Sequence, residues 1–155
     1  MIKYEVEKIT DENIKQVMPI FEAHREELQS FKDMKLNPDW DAYKMMQDMD
    51  RLVWLIARDE GEIVGYAVYM LSYNLHYKDF LFAIEDIFYV VNDKRGSRIG
   101  INLIKKSEEI LKERGVDVIT HHAKFTNKFA PFLERLGYNK TETMLAKRIS
   151  VEREF

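Results

Sequence analysis

Residues 88–101 concentrate the chemistry of this 155-residue chain. An apolar, strand-like run ends at Tyr89-Val90-Val91. A short basic loop follows, and an amphipathic helix begins at once. Backbone N–H groups in such a turn, together with the free amides of a helix N-terminus, make a pocket suited to a pyrophosphate. Gly96 and Gly100 carry no Cβ and allow close backbone approach. Arg95 and Arg98 add positive charge, and Arg98 has the reach for a ribose phosphate. No Gly-Lys-Ser/Thr follows, so the loop is not a P-loop, and it does not fit G-x-G-x-x-G. Taken alone, it also reads as a plain strand-to-helix turn with surface arginines.

Other groups able to move protons lie elsewhere. Glu85 and Asp86 are adjacent carboxylates within the strand-like run, and alternation sends them to opposite faces. His121 and His122 close a shorter apolar run, and imidazoles titrate near neutral pH. Adjacent strand residues diverge and no further ligand cluster accompanies them, so no metal is expected. His24, with Glu26 and Glu27, reads as a solvated helix face. Glu142 lies near the end.

The elements that must position these groups follow from periodicity and turn chemistry. Residues 2–9 alternate as a strand. Thr10 and Asp11 cap a helix to about Ser30, which Pro19 should kink or split. Asn37-Pro38 reads as the start of a second helix, to about Met49. Residues 52–59 and 63–72 form a hairpin around Glu60-Gly61-Glu62. Residues 79–90 make a long central strand, and 99–114 a helix ended by Gly115. Residues 116–121 are a short strand, 127–136 a helix closed by Gly137, and 138–149 a final strand. The order β-α-α-β-β-β-α-β-α-β is an α+β, three-layer sandwich with helices on both faces of a mixed sheet. Without repeats or linkers, residues 1–155 form one domain.

Composition narrows the setting. No cysteine is present, which excludes disulfides, thiolate zinc sites and a cysteine nucleophile. The charged opening residues do not form a signal peptide, and no apolar run approaches the roughly 20 residues that span a bilayer. A soluble, cytoplasmic protein without a membrane partner is expected. The net charge of −3 argues against a nucleic-acid partner. Residues 1–78 hold 10 basic and 15 acidic side chains, whereas 79–155 hold 14 and 12. Such an asymmetry suits an anion-handling second half and a first half tolerant of cations.

The loop Arg95-Gly96-Ser97-Arg98-Ile99-Gly100 resembles the coenzyme A pyrophosphate loop of the GNAT superfamily of N-acetyltransferases, R/Q-x-x-G-x-G/A, with Arg98 where the family has its middle glycine. A second motif, from Asn127 through Ala130, Leu133-Glu134-Arg135-Leu136 and Gly137-Tyr138, is similar to the family's N-x-x-A-x-x-Y-E-K-L-G-F. The element order is also that of the family. The short final segment and the histidine pair resemble small phage-borne members.

The resemblance implies the GNAT acyl-CoA N-acyltransferase fold and direct transfer of an acetyl group from acetyl-CoA to an amine, without a metal. Tyr89, Val90 and Val91 would run beside the pantetheine arm. The amides of Gly96, Ser97, Arg98, Ile99, Gly100 and Ile101 would cradle the pyrophosphate, beside Arg95, and Asn127 would bond the cofactor from the last helix. Glu85 is the preferred base, with His121 and His122 as further acid–base candidates where the family's sheet splays. The bulge that the spacing from Asp86 to Arg95 suggests would re-aim these side chains. The family's usual tyrosine acid is replaced by Leu133, which cannot donate a proton. A cationic acceptor, small molecule or protein, is expected, and pairing of two copies through edge strands is compatible with the family. The alternative is a non-catalytic acyl-CoA-binding or protein-interaction module on the same fold.

Overall fold

A computed structural model describes residues 1–151 and 153. The elements are β1 (Ile2–Val6), α1 (Asp11–Leu28), α2 (Trp40–Asp48), β2 (Leu52–Asp59), β3 (Glu62–Asn74), β4 (Tyr77–Val90), a 3-10 turn (Asn92–Lys94), α3 (Ile99–Glu113), β5 (Val118–Thr120) and α4 (Phe129–Arg135). The strands form one sheet in the order β1-β2-β3-β4-β5. The first four are antiparallel, and β5 runs parallel to β4. The sheet is therefore mixed, as expected.

Strand alternation builds two apolar layers. Val53, Leu55, Ala57, Ala67, Tyr69 and Ala83 point one way and meet Leu103 and Leu111 of α3. Leu52, Trp54, Ile56, Tyr66 and Val68 point the other way and meet Val17 and Phe21 of α1, with Trp40 and Tyr43 of α2 at the margin. The hairpin turns at Glu60 and Gly61, both at positive φ (48° and 91°).

Three expectations are corrected. Helix α1 continues through Pro19, because Pro19 and Lys15, whose carbonyl loses its partner, both lie on the exposed face where water can satisfy that oxygen. A reciprocal capping box between Thr10 and Asn13 starts this helix. Helix α2 begins at Trp40 rather than at Pro38, because the Asp39 carboxylate accepts the Ala42 N–H at 2.9 Å and makes Asp39 the cap. The final strand is absent: among the described residues, 138–149 join no sheet, and Met144, Leu145 and Ile149 are exposed. The tail is tied instead by Arg148, whose guanidinium bonds Asp33 at 2.6 Å.

Candidate active site

Strands β4 and β5 pair only from Phe82–Val118 to Ile84–Thr120, yet β4 runs on to Val90. Beyond Ile84 the sheet is split. The register of β4 against β3 also breaks here. Val68 faces Ile87 and Tyr69 faces Glu85, so Asp86 has no partner. This is a β-bulge, at the place the spacing suggested. Its consequence is a change of face. Ala83 packs with the α3 layer, whereas Ile87 and Tyr89 pack with the α1–α2 layer. Asp86 receives the Tyr43 hydroxyl of α2.

The three acid–base candidates meet at the mouth of this split. Glu85 Oε1 lies 3.0 Å from His121 Nδ1, and Glu85 Oε2 lies 3.2 Å from His122 Nε2. The Glu85 and His121 side chains are each 2% exposed, whereas His122 is 58% exposed. A carboxylate in apolar surroundings must be bonded, and both of its oxygens are engaged here. His121 stands edge-on to Tyr69, Phe129 and Tyr138, and its Nε2 has no partner among the described residues. Only His122 presents a ring to solvent.

A second network lines the α1 side, where sequence analysis expected a solvated face. His24 Nδ1 lies 2.6 Å from the Tyr66 hydroxyl, and its ring stacks on Tyr89 at 4.5 Å. Burial lowers its pKa from 6.5 to about 4, against the pull of Glu27, so the imidazole is neutral at pH 7. Sequence reasoning missed Tyr66 altogether. The available signal for His24 was its spacing of three from buried Phe21, which puts both on one helix face.

Arg95 is committed within the protein. Its guanidinium makes paired bonds to Glu27 at 2.6 and 2.8 Å, its Nε donates to the Val90 carbonyl at 3.0 Å, and it lies over the Tyr89 ring. Its charge thus ties the loop to α1 rather than facing a phosphate. This pairing holds the Glu27 carboxyl below its ordinary pKa. The loop still has the donors that a pyrophosphate requires. Among the described residues, the N–H groups of Gly96, Ser97, Arg98, Gly100 and Ile101 have no acceptor, and that of Ile99 reaches only Ser97 Oγ at 3.4 Å. Gly96 turns the chain at φ 79°. Arg98 caps α3 at φ −82° and makes no ion pair among the described residues, so its charge is the one left to face an anion.

The β4 edge gives a matching groove. The Val91 N–H donates to Val64 across the sheet. Alternation therefore turns the Val90 amide toward the split, and sends those of Tyr89 and Val91 toward β3. Helix α4 floors the groove. Phe129 stacks on Phe88 at 4.9 Å, and Phe132 reaches Gly100. Asn127 Oδ1 accepts the Phe129 N–H at 3.1 Å, leaving its amide N–H groups for a ligand. Leu133 is buried, and Tyr138 donates its hydroxyl to Glu108 at 3.0 Å. The donor set and the split fit an extended thioester cofactor bearing a pyrophosphate. No cluster of three or more His, Cys, Asp or Glu suited to a metal occurs among the described residues. No helix among them is long and apolar enough to cross a membrane.

Comparison with known proteins converges on the same fold. Solved structures that match over nearly the whole chain include an aminoglycoside acetyltransferase from an uncultured soil metagenomic sample, in complex with sisomicin (TM-score 0.73, 18% identity, 98% of this chain and 97% of that one). A transcriptional regulator from Bacillus halodurans matches with a TM-score of 0.76 and 20% identity, over 96% and 100% of the two chains. A predicted acetyltransferase from Clostridium acetobutylicum, solved with acetyl-CoA, matches with a TM-score of 0.72 and 16% identity, over 96% and 97%. No curated protein matches by sequence. The model of the acetyltransferase (GNAT) family matches residues 15–138, and with the split sheet and the amide-rich loop this places the chain in the GNAT acetyltransferase family.

Proposed function

We propose that this protein moves the acetyl group of acetyl-CoA directly to a primary amine, small molecule or protein, with His122 carrying the amine's proton. The observation that carries this reading is the continuity of the groove. The unpaired β4 edge leads from Glu85 and His122 at one end to the free amides of residues 96–101 at the other.

Acetyl-CoA, when bound, supplies a thioester carbonyl open to attack by a neutral amine. The amides of Gly96, Ser97, Arg98, Ile99, Gly100 and Ile101 would hold its pyrophosphate, with Arg98 supplying charge. The Val90 amide, between Tyr89 and Val91, and the side chain of Asn127 would orient the rest. His122 Nε2 rests on Glu85, which leaves Nδ1 as the outward lone pair. Nδ1 takes the amine's proton and holds it as imidazolium against the buried carboxylate. Glu85, with both oxygens occupied, acts as a positioning residue rather than as the base, and His121 secures its other oxygen. Leu133 is aprotic, so the proton stored on His122 is the one the chain can return.

The cysteine-free composition supports a cytoplasmic setting. Incubation with acetyl-CoA and a primary amine should release free thiol in equal amount with acetylated amine, read by a chromogenic disulfide and by mass spectrometry. Buried Leu133 favours one second reading, a non-catalytic acyl-CoA binder. Tight cofactor binding without any thiol release would decide for it.

A further inference from the structure

A cavity of about 440 Å³ opens on the α1–α2 face, and its inner wall is formed by His24, Tyr43, Tyr66 and Ile87. Phe21, Leu28 and Phe31 line its sides. It lies on the α1–α2 side of the sheet, and the His24 ring that lines it stacks on Tyr89 of β4. The charged groups that border it are Arg25 and Lys35, both cationic, and no carboxylate borders it among the described residues.

The nearby acids are already consumed. Glu27 is held by Arg95 and Tyr89, and Asp86 by the Tyr43 hydroxyl. Part of the acidic surplus of residues 1–78, which suggested a cationic acceptor, is already paired with cations of the protein. Glu7 faces Arg58, Asp11 faces Lys44, Asp33 faces Arg148, and Asp59 faces Lys94. A polyamine or an aminoglycoside would bring several ammonium groups to a wall whose described acceptors are neutral, Gln29 Oε1 among them, and burying charge without a counter-charge is costly. An aromatic or branched apolar body would instead replace water against five rings, and neutral His24 would not repel its single amine.

We infer that the acceptor is a primary monoamine carried on an apolar, ring-sized body, seated in this cavity with its amine directed past His24 toward the split, where His122 takes its proton. This inference rests on the acetyl-transfer reading and narrows its substrate class. The size agrees, since pockets for small molecules run from about 300 Å³ upward.

The test is a steady-state comparison of kcat/KM for phenethylamine, spermidine and kanamycin with acetyl-CoA saturating. Phenethylamine is expected to exceed the other two by about tenfold or more, the scale of apolar discrimination by a pocket. Phe31→Asp, a loop substitution that adds a carboxylate to the wall, should lower the phenethylamine value about tenfold and raise that for spermidine. Leu28→Ala should raise the KM for phenethylamine, and thermal melts establish that both variants fold. Preference for spermidine or kanamycin in the native protein would overturn the inference while leaving acetyl transfer standing. An unchanged ratio in both variants would also overturn it. Release of thiol with none of the three amines, despite bound acetyl-CoA, would overturn this inference, and silence with lysine-bearing peptides as well would remove the acetyl-transfer reading.

Discussion

Glu85 and His122 form a pair of unequal exposure, a carboxylate 2% exposed set 3.2 Å from an imidazole 58% exposed. The buried member fixes and the exposed member reacts. His122→Ala should therefore lower kcat by about 10²- to 10⁴-fold, the usual worth of a positioned acid–base group. Glu85→Gln keeps the shape of the site and removes the charge behind the imidazolium. It should lower kcat less and move the acidic limb of the pH–rate profile, measured between pH 5 and 9. A Glu85→Gln profile identical to the native one would contradict the positioning role.

The burial of His24 makes stability depend on pH. Its pKa is about 4 in the folded protein and 6.5 when unperturbed. Between those values the unfolded chain binds a proton that the folded chain does not, so stability is fully present above pH 6.5 and is lost as pH falls toward 4. The loss attributable to this group is on the order of 3 kcal/mol. Urea unfolding of the native protein and of His24→Gln at pH 7 and pH 4.5 checks it: the variant should show the shallower decline.

Arg95 and Arg98 should separate cleanly despite their closeness in sequence. Arg95 is tied to Glu27, so Arg95→Ala should reduce stability by about 1 kcal/mol, with a double-mutant cycle against Glu27→Ala recovering most of it. Arg98 has no protein partner among the described residues, so Arg98→Ala should leave the melting temperature unchanged. It should weaken acetyl-CoA binding about tenfold and reduce the salt dependence of that binding.

Gly100 sits where α3 begins under α4. A Cβ there would lie 3.6 Å from the Phe132 ring and 3.9 Å from Val90, which is ordinary contact. Gly100→Ala should therefore fold normally, whereas Gly100→Trp must fill the space beside the free amides. Calorimetry should show the tryptophan variant losing acetyl-CoA affinity far more than stability.

The elements that sequence analysis read well are those whose signal is local. The start of α3 at Ile99 and the limits of β2 follow from a break in apolar pattern and from the Glu60-Gly61 turn. The bulge was legible as a one-residue excess between Asp86 and Arg95, although its effect on which face each side chain takes was not. The start of α2 lies beyond Pro38 because the capping bond is made by Asp39 and not by Asn37, a choice that the Asn-Pro pattern does not reveal. The role of Arg95 was hidden because its partner, Glu27, lies 68 residues away. His24 was hidden for a related reason: flanking charges suggested solvent, whereas the rings of Tyr66 and Tyr89 arrive from other strands. The final strand failed because pairing is a tertiary event, and here Arg148 carries the tail to Asp33 instead.

Calorimetric titration with acetyl-CoA, set beside desulfo-CoA, tests the central claim most directly. Micromolar binding of both, weakened by Arg98→Ala and abolished by Gly100→Trp, is the result that the split sheet and the amide loop predict. Absence of heat at millimolar ligand, with the protein folded, would contradict the assignment of this groove to the cofactor.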